Sequence, residues 1–284
     1  MNFTQVKVIG VDIGGTKIHA AQIMGNSIHQ QEIVRTPSGG SESEVVDVLI
    51  KTISKVLTSD CVGIGIGNPS LVDSKKGIIY DTVSIPSWKE VHLKEILEAQ
   101  FKIPVWVNND ANCFALGEKY FGKGKNYENF VGITLGTGLG SGIIINNKLY
   151  NGLNTGAGEI GSINYKDGII EHYSAGQFFL NKGKTGGDYF QEALKGNEDA
   201  LLAFVEFGKN LSDAIKIVLY AFDPEAIIIG GSISNAFDFF IPSVWKGLES
   251  YMYQTALKNL KIEKSELDNG AVLGAASLVY DKIS

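Results

Sequence analysis

Two glycine-rich turns constrain this chain more than any other feature: Val11-Asp12-Ile13-Gly14-Gly15-Thr16-Lys17 near its start and Leu135-Gly136-Thr137-Gly138-Leu139-Gly140-Ser141-Gly142 near its middle. Each follows an apolar run that reads as a strand and leads into a second such run, so both mark the tips of β-hairpins. In each, bare backbone N–H groups and a threonine can close on phosphoryl oxygens with no bulky side chain in the way. One such turn would constrain little. One per half of the chain points to a nucleotide held between two related lobes.

Composition narrows the partners. With 284 residues, 44% hydrophobic and 20% charged, the chain can bury a core in each of two modest domains. A net charge of −6 and a single arginine, Arg35, leave no basic stripe for a nucleic-acid backbone or an anionic membrane. No apolar run approaches the ~20 residues that span a bilayer. The expected partner is therefore a small molecule and the expected address the cytoplasm. Cys61 and Cys113 lack disulfide or ligand spacing and read as buried free thiols.

Periodicity predicts strands over 6–13, 17–24 and 27–34, a three-strand meander. Ser41 followed by Glu44 is a capping box opening a helix with Val45, Val48, Leu49 and Val56 on one face. A strand over 61–66, irregular loops between Pro69 and Pro86, a helix over 93–101 and a strand over 104–107 follow, with a first-lobe boundary at 110. The second lobe starts again with a hairpin, 130–135 and 141–145, then a glycine-rich stretch over 151–168. A long helix carrying Leu201 to Leu219 ends before Pro224. The apolar run 226–229 closes in Gly230-Gly231-Ser232, as a buried central strand should. A last helix over 269–283 carries Gly274, Ala275 and Ala276, suited to close packing. Two hairpin-led halves hint at duplication.

Other phosphate motifs fail. A dinucleotide fingerprint starting at Gly136 has Ser141 in its sixth place and a strand, not a helix, after it. The Gly117 to Lys123 spacing of a P-loop ends in Gly124, and Gly183-Lys184-Thr185 has Phe178 where the upstream glycine belongs.

Asp12-Ile13-Gly14-Gly15-Thr16-Lys17, Trp106-Val107-Asn108-Asn109-Asp110-Ala111-Asn112, Leu135-Gly136-Thr137-Gly138 and Ile229-Gly230-Gly231-Ser232 stand in the order and spacing of the ROK family, which the chain resembles over nearly its whole length. Gly65 to Asp73, Ile85-Pro86-Ser87-Trp88, Gly156 to Gly161 and Gly270 to Ala276 extend the likeness. The family comprises bacterial sugar kinases and sugar-responsive repressors. The resemblance implies an α/β, two-lobed actin-like ATPase (ribonuclease H-like) fold, with mixed sheets, helices on both faces and a central cleft. A smaller lobe of residues 1–110 would be completed by the helix 269–284, and residues 111–268 would form the larger lobe. It further implies ATP- and Mg²⁺-dependent phosphorylation of a hexose, glucose-like or an N-acetylhexosamine, at the C6 hydroxyl, and a homodimer. Alternatives are a kinase for fructose, N-acetylmannosamine or a β-glucoside, or a silent sugar-binding or regulatory protein. Family repressors carry a DNA-binding helix-turn-helix ahead of the first phosphate turn; here only residues 1–5 precede the first strand, which favours an enzyme and no nucleic acid.

Phosphoryl transfer to an alcohol needs in-line placement, charge neutralisation and an acceptor for the hydroxyl proton. Asp110, after a buried strand and at the start of a helix over 111–121, is the candidate base; the competing role for an Asp there is a helix N-cap. Asp12 interrupts an apolar strand, where a carboxylate is costly without a partner, and hydrated Mg²⁺ is the natural one. Gly14, Gly15, Thr16 and Lys17 would meet phosphate, as would Gly136, Thr137 and Gly138. Gly230, Gly231 and Ser232 would lie against adenosine and the α-phosphate. Arg35 is too isolated to serve as a phosphate clamp.

For the sugar, the family pattern points to Asn109, Asp110, Glu159 and Glu171, with Ser162 where relatives carry histidine. Carboxylates can accept paired hydrogen bonds from vicinal hydroxyls. The alternative for Glu171 is an exposed loop acid. The three cysteines that hold a structural zinc in many relatives are absent, with Ile169 at one of those places, and His172 beside Glu171 does not restore the site, so no zinc is expected. Ser162 is smaller than histidine, and Ser70 and Ser87 replace family glycines. A roomier pocket near the anomeric end would shift preference toward N-acetylated or β-linked sugars, a hypothesis that Ser162→His tests.

Overall fold

The computed structural model describes residues 5–153 and 156–283; residues 1–4, 284 and 154–155, the last pair within the glycine-rich stretch 151–168, lie outside the described residues. The chain divides into two compact units. The first comprises Met1–Lys125, Leu149–Ala157 and Leu267–Ser284, the second Asn126–Lys148 and Gly158–Glu266.

In the first unit the meander forms as read: β1 (Lys7–Ile13), β2 (Lys17–Met24) and β3 (Ser27–Arg35). Helix α1 (Glu42–Val56) starts at Ser41, whose hydroxyl accepts from the Glu44 N–H while Glu44 reaches back to the Ser41 N–H. Both bonds satisfy backbone donors that a helix start leaves orphaned. Strand β4 (Cys61–Asn68) follows, then β5 (Leu71–Asp73), β6 (Ile78–Tyr80) and β7 (Glu90–Val91), α2 (Leu93–Phe101), β8 (Val105–Asn109) and α3 (Asp110–Tyr120). The main sheet has the order β3-β2-β1-β4-β8, with β1 antiparallel to β2 and parallel to β4, and β4 parallel to β8. The segment read as irregular between Pro69 and Pro86 instead holds β5 and β6, which with β7 make a small antiparallel sheet.

Side chains alternate across β1. Ile9, Val11 and Ile13 pack with Val45, Leu49 and Ile53 of α1, whereas Val8 packs with Val272, Ala276 and Val279 of the last helix, α10 (Gly270–Ile283). That helix lies so close to the sheet that a Cβ on Gly10 or Gly65 would strike the carbonyls of Val272 and Ala275. Small residues on both sides set this approach. The same helix packs on α3, where a Cβ on Gly274 would meet the backbone of Cys113 and Phe114. This contact carries α3 into the first unit, so the boundary falls after Lys125 and not at 110, and the first unit is the larger of the two.

The second unit opens with β9 (Phe130–Leu135), β10 (Leu139–Ile145) and β11 (Lys148–Leu149), the last at a chain crossing. A small hairpin, β12 (Asn164–Tyr165) and β13 (Gly168–Ile169), precedes α4 (Ile170–Ser174), α5 (Gly176–Leu180), α6 (Gly186–Leu194) and α7 (Glu198–Phe222). After these come β14 (Ala226–Gly230), α8 (Phe237–Leu248), α9 (Gln254–Leu257) and β15 (Lys261–Lys264). Helix α7 stops one residue short of Pro224, with Asp223 left-handed at its C-cap. The sheet order is β11-β10-β9-β14-β15, with β9 antiparallel to β10 and parallel to β14. Its core is aromatic: Phe178, Phe179, Phe204, Phe207 and Phe240 pack with their ring centroids 5.0–5.7 Å apart. Cys61 and Cys113 are buried free thiols.

Candidate active site

In the first unit the candidate residues gather at the carboxyl ends of the parallel strands, where open α/β sheets place ligands. Asp12 of β1 stands beside Gly67 of β4, Gly67 beside Asn108 of β8, and Asp110 follows two residues on. Asn109, not Asp110, is the N-cap of α3: its side-chain oxygen accepts from the Ala111 N–H at 2.9 Å. Its amide donates to the Ser70 carbonyl at 3.2 Å, leaving one N–H for a ligand. Asp110 is thus released from the capping role, although its Oδ1 also accepts from the Ala111 N–H at 2.8 Å.

Asp110 reaches solvent, yet protein crowds it enough that desolvation pushes its carboxyl above the ordinary carboxylate value. The Ala111 bond pulls it down, and the charge of Asp12 adds to the rise. Asp12, half-buried, is likewise pushed up by desolvation and drawn partly back by Lys17. No hydrogen bond from the described residues reaches its carboxylate. A desolvated carboxylate beside a second one is stabilised by a nearby cation. Magnesium fits, since it takes few carboxylates and keeps its waters. Among the described residues no group of three or more His, Cys, Asp or Glu could hold a metal ion.

The first turn is tied down from β3. Gly14 N–H donates to the Lys17 carbonyl at 2.9 Å, Thr36 Oγ1 donates to the Gly14 carbonyl at 2.7 Å, and the Thr36 N–H to that of Thr16 at 3.1 Å. Buried Thr36 is a turn-fixing residue that sequence reading missed, because its partners lie some twenty positions upstream. Buried Asn68 was missed too, though its motif was seen; it accepts from the Ser70 and Thr82 hydroxyls and so orders the loop under Asn109. Arg35 is not isolated: it stands directly opposite Lys17 in the β2–β3 register, both exposed and neither ion-paired among the described residues.

In the second unit the other candidates meet around the tip of β9–β10. Gly136 N–H donates to the Gly138 carbonyl at 3.0 Å, closing the turn, with Thr137 exposed at its apex. Gly230 pairs beside Thr134, and Gly231, at φ 84°, abuts Leu135, placing Ser232 next to Gly136. Glu159 and Ser162 bracket a short 3₁₀ turn and are exposed, with the Ser162 N–H donating to the Glu159 carbonyl at 3.2 Å. Ser141 of β10 donates to the Gly158 carbonyl at 2.5 Å and anchors that turn. Glu171 is not a loop acid. It lies on α4, and its Oε2 accepts from the Leu139 N–H at 2.9 Å, against the Gly138 Cα, where a Cβ would collide with it.

Two mixed sheets of matching strand order, each ending in a glycine turn, define an actin-like ATPase fold of the class that sugar kinases use. The ROK family's sequence model matches residues 8–282, and the chain belongs to the ROK family. It is 32% identical to a glucokinase of Halalkalibacterium halodurans, over 95% of this chain and 94% of that protein. It is 28% identical to a xylose repressor of Caldicellulosiruptor bescii, over 96% of this chain and 77% of the repressor. Its fold matches that of a ROK family glucokinase from Streptomyces griseus in complex with glucose and AMPPNP, with a TM-score of 0.81, 28% identity, and coverage of 96% and 98%. Among the described residues no helix is long and apolar enough to cross a membrane.

Proposed function

We propose that this protein is an ATP-dependent hexose kinase that phosphorylates a glucose-like sugar or an N-acetylhexosamine at its C6 hydroxyl. The observation that carries the reading is Asp110: a carboxylate next to the Asn109 cap, at the strand ends, pushed above the ordinary carboxylate value by desolvation. Glucokinases among its relatives, one solved with glucose and AMPPNP, support the acceptor and donor classes.

In this mechanism Asp110 accepts the proton of the attacking hydroxyl as the oxygen meets the γ-phosphorus. The Gly14–Lys17 turn and the Gly136–Gly138 turn offer N–H donors and hydroxyls to phosphoryl oxygens, and Gly230 to Ser232 face the nucleoside end. Asp12 would hold Mg²⁺ through water, the ion supplying neutralisation of phosphate charge. Asn109, Glu159, Ser162 and Glu171 accept or donate to sugar hydroxyls. The protein acts in the cytoplasm as a homodimer on a small-molecule sugar.

The matches to xylose repressors favour one second reading, sugar binding without transfer. Coupled ADP release over a panel of hexoses, N-acetylhexosamines, fructose and β-glucosides separates the two. Sugar-dependent ADP release supports the kinase; saturable sugar binding without it establishes the binder.

A further inference from the structure

The segment between Ser162 and Glu171 folds back on itself. Its base is closed by the Ile170 N–H donating to the Ile163 carbonyl at 3.0 Å, so two residues nine positions apart flank one bonded pair. Only two residue pairs, Asn164 with Ile169 and Tyr165 with Gly168, make the hairpin above that base. A hairpin this short does not hold its shape in water unaided. At its tip Lys166 has φ 53°, a left-handed conformation that favours glycine or asparagine and is uncommon for lysine.

Helix α7 braces the hairpin through side chains. Tyr165 donates its hydroxyl to Asp213 Oδ2 at 2.6 Å, and Asp213 is held in turn by Lys216 at 2.9 Å. Lys166 Nζ donates to Asn210 Oδ1 at 2.7 Å and lies over the rings of both Tyr165 and Tyr173, at 5.0 and 4.5 Å from their centroids. Those rings meet edge to face at 5.4 Å, and Tyr173 bonds to Asp167 across the tip. Tyr173 is on the same short helix as Glu171, whose carboxylate bonds the Leu139 N–H beside the glycine turn.

We propose that Tyr165 is a positioning residue: clamped to Asp213, it holds the hairpin so that Ser162 and Glu171 face the acceptor while Glu171 stays seated on the Gly136–Gly138 turn. The functional half of this inference rests on the hexose-kinase reading. The clamp makes the acceptor residues and the phosphate turn one rigid piece, ready before sugar arrives.

The test is Tyr165→Phe, which removes one hydroxyl and leaves both ring contacts. A hydrogen bond to a charged group sets the scale, and acceptor KM should rise about 10-fold while kcat changes less than about 3-fold. Asp213→Asn keeps an oxygen for the phenol and should retain near-native KM, whereas Asp213→Leu leaves the phenol only Asn210 Oδ1, at 3.4 Å, and should raise KM in the same direction as Tyr165→Phe. A purely structural role would instead lower the active fraction, and so kcat, with KM unchanged. Amide hydrogen exchange over residues 160–174 is read in parallel and should quicken about 10-fold in Tyr165→Phe. If the wild type transfers no phosphate, the kinase reading falls and the exchange still judges the clamp. Native exchange, or native KM in an active Tyr165→Phe enzyme, overturns the proposal.

Discussion

The two units share a plan and differ in charge. Each has a central strand, β1 or β9, with its hairpin partner antiparallel on one side and two parallel strands on the other, β4 and β8 or β14 and β15. Each central strand runs into a glycine turn. Around the first turn stand Asp12, Lys17, Arg35 and Asp110, and both acids are pushed above their ordinary values. Around the second the turn itself is uncharged, and the nearest acid, Glu171, spends one oxygen on a backbone N–H. One scaffold thus carries two kinds of turn. On the proposed mechanism the desolvated charges of the first unit serve a proton and a cation, and the backbone donors and hydroxyls of the second serve phosphate.

That contrast breaks most sharply at Asp110. Asp110→Asn should lower kcat by about 10²- to 10⁴-fold, the usual range for a general base, with sugar KM little changed in steady-state kinetics. Asp12→Asn should weaken Mg²⁺ dependence next, raising the half-saturating Mg²⁺ concentration about 10- to 100-fold in activity titrations. In the second unit Gly138→Ala drives a methyl into the Glu171 carboxylate, and KM for both ATP and sugar should rise about 10-fold, with kcat affected less. Equal kcat losses at Asp110 and Gly138 would erase the proposed division.

Stability sharpens it further. A carboxyl raised on folding stabilises the protein when protonated, and this is lost as pH rises from its unfolded value through its raised folded one. Replacing Asp110 by Asn should therefore raise Tm at pH 7, with the gain shrinking toward pH 4, in calorimetric scans. Activity should run the other way, falling in acid as Asp110 takes up a proton. The smallest effect is expected far from both turns. Ser41→Ala removes one capping bond from α1, costing about 1 kcal/mol in denaturant unfolding and leaving both KM values unchanged.

Local chemistry was legible in the sequence, and contacts between distant residues were not. The meander, the α1 capping box, β9, α7 and β14 each declare themselves within a few residues, through alternation, a cap or a proline. Strands β5 to β7 are two or three residues long and show no period to read. The first-unit boundary depends on α3 meeting α10, a contact across more than 150 positions that nothing in residues 108–121 announces. Within the site, Asp12 and Asp110 could be chosen by residue type and place together with the companion motifs of the ROK resemblance. The partner of Glu171, thirty-two positions earlier, could not. Nor could the facing of Arg35 and Lys17, which only the register of β2 on β3 reveals.

The central claim is that the Asp110 carboxylate takes the proton of a hexose hydroxyl. The most direct measurement is a crystal structure of the wild-type protein with its best hexose and a non-hydrolysable ATP analogue. An Asp110 carboxylate oxygen should stand about 2.6–3.2 Å from the C6 hydroxyl, with that oxygen facing the γ-phosphorus. A bound hexose whose C6 hydroxyl lies away from Asp110, with the carboxylate pointing elsewhere, would contradict the account.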